Sequence, residues 1–335
     1  MGAAYVGSPG ESHPLISVPW LRDRTQRVAR ALGRPDLAAR GAALSLEEGD
    51  RIAPGRTVLR ALGGGNRFEV VLVWDDHLCA LTVAKVLRAE LRADERALKE
   101  LRVEAEVLGR LAHPVIVRVF DAALEGPYPH LLIEHLEGPT LRRLIRRGGP
   151  VPMEQLLPLA AHLAAALAYM ERMEVVHLDV KPDNVIMGVP PRLIDLSVAR
   201  PLERAARIRG PVGTDAYMAP EQCAPEDHAG LIGSATDVWG LGATVHHAVS
   251  GAVPFPRRRG AGESSERHVR FPQLGQAARP LPTSVEPRLR NLVARCLEPR
   301  PADRITALEL LEGLEPLVSE LPRKLMLGRR GAWAR

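Results

Sequence analysis

The spacing of hydrophobic positions changes character twice along the chain. Residues 1 to 54 hold one run of helical spacing, "PWLRDRTQRVARALGRP", closed by Gly33 and Pro35, and a capping-box pattern in "SLEE". From about Thr57 the period shortens towards two. "RTVLRALGGGNRFEVVLVW" and "HLCALTVAKVLRAE" predict β-strands, broken by glycines and by a turn at Asp75–Asp76. "LRADERALKELRVEAEVLGRLAHP" then predicts one long amphipathic helix that stops before Pro114. Two short apolar runs follow, "VIVRVF" and "HLLIEHL". After Gly138 the helical period dominates, most clearly in "MEQLLPLAAHLAAALAYMERM" and "ATDVWGLGATVHHAVSGAVPF". Residues 256–284, rich in Pro, Gly, Arg and Ser, predict a surface loop. The pattern is α+β: an N-terminal extension (1–54), a small β-rich lobe (55–136), a larger α-helical lobe (137–318) and a basic tail (319–335).

Composition narrows the class. The longest apolar run, Leu156–Met170, is too short to span a bilayer and contains His162. "MGAAYVGSPGESHP" lacks the basic start and apolar stretch of a signal peptide, and Val6 stands where a myristoylation motif wants Ser or Thr. Cys79, Cys223 and Cys296 are far apart and lack metal-ligand spacing, which reads as buried apolar residues in a reducing cytoplasm. The net charge of +5 invites a nucleic-acid reading. Five of the 45 basic side chains, however, lie in the last fifteen residues, and the remaining 40 match the 40 acidic ones. The body of the chain is neutral, with no nucleic-acid footprint.

One loop departs from its surroundings. "VVHLDVKPDNVIM", residues 175–187, gathers a His, two Asp, a Lys and an Asn in eight positions between apolar runs. The chain has four lysines against 41 arginines, and Lys181 is one of the four. A carboxylate such as Asp179 can orient a hydroxyl or take its proton, and an ammonium such as Lys181 can neutralise a phosphoryl group. A carboxamide oxygen such as that of Asn184 can bind Mg²⁺. Phosphoryl transfer needs this set, because its catalysis is mostly positioning and charge stabilisation. "RLIDLS" sets Asp195 at the end of a short apolar run, fit for a second metal contact. Taken singly, each Asp or Asn is equally well explained by turn chemistry; their order and spacing together are not.

These residues resemble the motifs of the protein kinase family, in its eukaryotic-like (Hanks-type) Ser/Thr branch. "HLDVKPDN" matches the catalytic loop, "DLS" the metal-binding triplet and "GTDAYMAPEQ" the end of the activation segment. Upstream, "LGGGNRFEV" is similar to the Gly-rich loop and "TVAK" to the strand with the nucleotide-binding lysine. Downstream, "DVWGLG", "SGAVPF" and "RPADR" follow in family order, so the resemblance covers roughly residues 55–315. It implies a bilobal kinase-like α+β fold, with ATP and Mg²⁺ as cofactors and a protein Ser or Thr as acceptor. The Ala- and Arg-rich composition fits a bacterial source.

By the same resemblance, Lys85 contacts the α- and β-phosphates and is held by Glu104 on the long helix, with Glu106 as the alternative. Lys181 sits near the γ-phosphate, Asp179 is the catalytic carboxylate and Thr214 bonds beside it. Asn184 and Asp195 bind metal. Gly63, Gly65 and Val70 belong to the nucleotide loop, and Glu134 and Leu136 offer backbone groups to adenine. Lys85 and Lys181 make two of four lysines at family catalytic positions; an ammonium is a compact point charge, a guanidinium a broad fork. Glu221 and Arg304 resemble a buried structural pair, and Asp237 an anchor for the loop backbone. His177 reads as a structural loop histidine, and His246 and His247 as helix surface and core.

Three departures bear on function. Leu178 replaces the Arg that precedes the catalytic Asp and grips an activation-loop phosphate, making the chain non-RD. Consistently, residues 196–213 hold no hydroxyl except Ser197. Phe68 stands where the loop's third glycine would be, restricting backbone approach to the phosphates. Ser197 replaces the glycine of the metal-binding triplet. Intact Lys85, Glu104, Asp179, Lys181, Asn184 and Asp195 favour an active kinase; Phe68 favours the alternative, a pseudokinase acting as a scaffold. With no phosphate to order the loop, either an ion pair of Glu203 with Arg207 orders it or the N-terminal extension or a partner clamps it, and regulation is expected through residues 1–54, by a partner or a dimer.

Overall fold

The period-two stretch folds as strands of one sheet. These are β1 (Arg51–Ala53), β2 (Arg56–Gly64), β3 (Phe68–Asp75), β4 (Ala80–Leu87), β5 (Val119–Ala123) and β6 (His130–Glu134). They are ordered β1-β2-β3-β4-β6-β5 and antiparallel at every pairing. The computed structural model describes residues 45–228, 231–257 and 266–322; the helix expected at 19–35 and the tail beyond 322 lie outside them.

Strand alternation sorts side chains onto two faces. Val71, Val73, Ala84 and Val86 join Leu46 and Ile52 in an outer apolar cluster. Phe68, Val70, Val83 and Lys85 instead line the cleft between the lobes. The register sets Val70 opposite Lys85. The sheet and its cluster start before residue 55: β1 and the 5 % exposed Leu46 fall in the stretch read as extension. Strand β5 begins only at Val119, later than the apolar run at Val115. Cys79 is exposed in the β3–β4 turn, against the expectation of burial, while Cys223 and Cys296 are buried.

Helix α1 (Glu95–Arg110) is capped by Asp94, whose side chain accepts the N–H of Ala97. Its buried stripe runs Ala97, Leu101, Glu104, Leu108 at helical spacing. A carboxylate in that stripe demands a buried cation. Glu106, two residues on, is exposed.

The large lobe holds α2 (Leu141–Gly148), α3 (Met153–Arg172), α4 (Leu202–Ala205), α5 (Pro220–Cys223), α6 (Ser234–Ser250), α7 (Arg267–Arg270), α8 (Pro287–Cys296) and α9 (Ala307–Ser319). Two-stranded pieces, β7 (Val175–Val176) with β10 (Arg200–Pro201) and β8 (Val185–Ile186) with β9 (Arg192–Leu193), frame the polar loop. Helix α6 is buried from Thr236 to Val249 and is the lobe's centre. His246 and His247 are thus both core, where one was expected on the surface. A Cβ at Gly242 would stand 2.4 Å from the Cβ of Cys296, so this glycine permits α6 and α8 to touch. Part of the expected 256–284 surface loop is anchored: α7 forms, and Phe271 and Gln273 are buried.

Glu221 and Arg304 form a bidentate pair at 2.6 and 2.8 Å, both side chains fully buried. All five guanidinium N–H groups find acceptors, the others being the carbonyls of Glu298, Ala235 and Pro299. Full satisfaction of this kind lets a buried ion pair persist.

Candidate active site

Between the lobes lies a cleft of about 1250 Å³. Leu62, Val70, Val83, Ile133, Leu136 and Ile186 give it apolar walls suited to a flat heteroaromatic ring. Its inner end is polar. Lys85 Nζ donates to both Glu104 carboxylate oxygens (2.8 and 2.9 Å) and to Asp195 Oδ1 (2.9 Å). Burial works against the Lys85 charge, but Glu104 and Asp195 outweigh it and raise the ammonium above its ordinary value. Burial would also push the Asp195 carboxyl up; the Lys85 ammonium overrides this and holds it well below the usual carboxylate range. Asp195 has φ +62°, the left-handed region that a non-glycine residue seldom adopts.

The catalytic-loop residues converge on a second centre. Thr214 Oγ1 donates to Asp179 Oδ1 at 2.7 Å. Lys181 Nζ donates to Asp179 Oδ2 at 2.5 Å and to Thr214 Oγ1 at 2.6 Å. Asn184 Nδ2 donates to the Asp179 carbonyl at 2.9 Å and to its Oδ2 at 3.1 Å. Asn184 also lines the cleft, linking the two centres. Beneath the loop, Asp237 accepts the main-chain N–H of His177 (2.6 Å) and of Leu178 (2.7 Å). These bonds hold Leu178 at φ +67°, a conformation costly for a side chain of its size. His177 is fully buried, and burial lowers its pKa, keeping the imidazole neutral.

The donor set fits Mg·ATP. With Asn184 Nδ2 turned to Asp179, the carboxamide oxygen and the Asp195 carboxylate are the hard oxygen ligands that Mg²⁺ takes beside phosphates. Leu136, Glu134, Val70 and Gly65 line the cleft; Gly63 does not, and Gly64 stands in the wall instead.

Comparison with known proteins agrees with this geometry. Residues 56–313 match the family model of the protein kinase domain. The chain belongs to the protein kinase family. It is 36 % identical over 241 residues to the serine/threonine-protein kinase PkaA of Streptomyces coelicolor, covering 70 % of this chain and 42 % of that one. It is 30 % identical over 263 residues to PknB of Mycobacterium leprae, covering 74 % and 40 %. With PrkC of Bacillus subtilis the figures are 29 % over 212 residues, 62 % and 32 %. All three relatives are bacterial kinases of the Ser/Thr type. This chain spans about 40 % of the length of the first two relatives.

Two features of this kinase were not read from sequence. The ring of Phe68 lies under the Lys85 ammonium, 4.5 Å from Nζ to ring centroid, so Phe68 stacks on the cation at the polar inner end of the cleft. Its position in a Gly-rich motif signalled bulk but not direction. Leu178, 2 % exposed, packs with Val176, Ala205 and Ile232, and Val198, Ile208 and Val212 of the activation segment join them. An apolar cluster thus surrounds Leu178 beside the catalytic loop. Gln222 ties the same region, its Nε2 donating to the Leu178 and Val212 carbonyls at 2.8 Å each. Gly213, at φ +113°, has no room for a side chain: a Cβ would come within 2.7 Å of the Leu178 carbonyl.

Proposed function

We propose that this chain is an active Mg·ATP-dependent kinase that phosphorylates Ser or Thr in protein substrates without needing phosphate on its activation segment. The observation that carries the proposal is the pair of complete polar centres, Lys85–Glu104–Asp195 and Asp179–Thr214–Lys181, with Asn184 bonded to Asp179 and lining the cleft that holds Lys85 and Asp195. In this reading Lys85 holds the α- and β-phosphates, and Asn184 and Asp195 hold Mg²⁺, which when bound offsets charge on the phosphate oxygens. The backbones of Glu134 and Leu136 meet adenine. Asp179 orients the acceptor hydroxyl and takes its proton as the new O–P bond forms and the bond to ADP breaks. Lys181 offsets charge on the transferring group, and Thr214 fixes the Asp179 rotamer. The working compartment is taken as the cytoplasm; among the described residues no helix is long and apolar enough to cross a membrane.

Phe68 is the observation behind the pseudokinase alternative. An ammonium over an aromatic face is worth about 0.5–2 kcal/mol, and phosphates must displace the ring or share Lys85 with it. Phe68→Leu is therefore expected to tighten Mg·ATP binding by about 2- to 30-fold, read by titration calorimetry. Weaker binding in the variant would mean that the ring steers Lys85 towards the phosphates instead.

The Leu178 cluster supports activity without activation-segment phosphate. The Glu203–Arg207 pair is present at 2.5 Å, but both side chains are largely exposed, so it contributes at most about 1 kcal/mol. Apolar burial of Leu178, Ala205 and Ile208 is the larger ordering force. Regulation is assigned to the N-terminal stretch, which reaches the nucleotide loop through Glu69. This 1 % exposed carboxylate, next to Phe68 in β3, accepts Ser45 Oγ (2.6 Å), Ser45 N (2.8 Å) and Leu46 N (3.1 Å). Protein co-expressed with a phosphatase and verified as unmodified is expected to show linear activity from its first turnovers, and removal of residues 1–48 to change its KM for ATP. A lag abolished by preincubation with ATP, mapping to a phosphate within 196–214, would contradict the account.

A further inference from the structure

We propose that the surface beside Asp179 selects serine or threonine segments flanked by acidic side chains. The proposal rests on the kinase reading above and names its substrate class. Its centre is Arg142, in the first turn of α2. The Arg142 Nε lies 3.7 Å from Asp183 Oδ2, and its Nη1 lies 3.1 Å from Tyr217 Oη and 3.3 Å from His247 Nδ1. Tyr217 and His247 are buried, at 3 % and 5 % exposure, and form a rigid backing. Burial, aided by Arg142, pushes His247 down to about 4, so the imidazole is a neutral support at working pH. The guanidinium is thus fixed between the catalytic loop, four residues from Asp179, and the segment carrying Thr214 and Tyr217. Its side chain is still 37 % exposed. A fork already held in place loses little freedom on meeting a carboxylate, and planar bidentate geometry suits it to one.

The surrounding charge is predominantly positive. Helix α2 carries Arg142, Arg143, Arg146 and Arg147 and no acid. Residues 196–213 carry four arginines against the single acid Glu203, already paired with Arg207. Asp215, next to Thr214, is held by Arg257 (2.5 Å) and Arg270 (2.9 Å). Asp183 has Arg142 itself. A basic flank on a substrate would therefore compete with arginines for acids already engaged, whereas an acidic flank meets a prepositioned cation that Asp183 approaches only at Nε, at 3.7 Å. A run of arginines is more often only a solvated face. Arg142 differs from such a run because three side chains, two of them buried, hold it beside the catalytic loop. The chain itself contains segments of this chemistry, among them Ser45 followed by Glu47, Glu48 and Asp50.

The test uses the full chain with Mg·ATP and three pools of serine peptides. The three positions on each side of Ser hold only Asp/Glu, only Lys/Arg or only Ala/Gly. The peptide of residues 40–52 is run beside its E47K/E48K/D50K form. Expected is a kcat/KM at least tenfold higher for the acidic pool than for the basic one, with an advantage that shrinks in 0.5 M salt, where screening is short-ranged. Arg142→Ala should cut that advantage at least threefold with no change in the KM for ATP. Arg209→Ala, at an exposed position, should cut it in the same direction without loss of thermal stability. Equal or better use of the basic or neutral pool overturns the proposal, as does an acidic preference untouched by both substitutions. Labelling of the chain itself or of an unrelated protein, with no pool used, overturns the acidic class but leaves the kinase reading standing. No labelling of any acceptor overturns both.

Discussion

Lys85→Met should lower kcat by at least 10²- to 10³-fold, the usual loss when one preorganised charge-stabilising group is removed. The same substitution should erase most of the rise in melting temperature that millimolar Mg·ATP gives the wild type by mass action on the folded state. The reason is local. Lys85 is the sole cation bonded to both Glu104 and Asp195 among the described residues, and methionine fills its volume but leaves two carboxylates facing each other. Asp195→Asn should also lose the thermal shift while keeping a neutral partner for Lys85, separating metal binding from the ion pair. A wild type with no Mg·ATP shift at all would favour the pseudokinase reading.

Arg304→Met is expected to destabilise the fold by about 3–5 kcal/mol, the range for removing one partner of a buried pair and leaving the other charge uncompensated. Glu221 would keep only the Thr236 hydroxyl, which bonds it at 2.8 Å, and the carbonyls of Glu298, Ala235 and Pro299 would lose their donor. Urea unfolding with an unchanged m-value should report the loss as a lower midpoint. A double variant, Arg304→Met with Glu221→Leu, should recover much of it, because replacing both partners removes the stranded charge. A single variant as stable as wild type would mean that the pair is dispensable.

What the sequence revealed and what it hid follow from how each feature is encoded. Asp179, Lys181 and Asn184 share one loop, and phosphoryl-transfer chemistry demands their residue types at that spacing, so they were legible together. Glu104 was legible only through the family resemblance, which left Glu106 open; the fold decides between them, because Glu104 lies in the buried stripe and bonds Lys85 whereas Glu106 is exposed. The direction of Phe68 was not, since it depends on a rotamer and on the face of β3. The Leu178 cluster was hidden for another reason: Leu178 showed the loss of an Arg, but its partners Ala205 and Ile232 are distant in sequence. Residues 45–53 read as extension because β1 is three residues long and the Ser45–Glu69 contact spans 24 positions. The anchored helix at Arg267–Arg270 was masked by a composition that favours loops.

The central claim is that Asp179 completes a working phosphoryl-transfer site. The most direct measurement is the initial rate of labelled phosphate transfer from ATP, with Mg²⁺, to protein hydroxyls by unmodified wild type and by Asp179→Asn. The account expects transfer to Ser or Thr by the wild type and a rate roughly 10²- to 10⁴-fold lower in the variant, the range for losing a positioned general base. Transfer at equal rates, or none by the wild type with Mg·ATP bound, would contradict it.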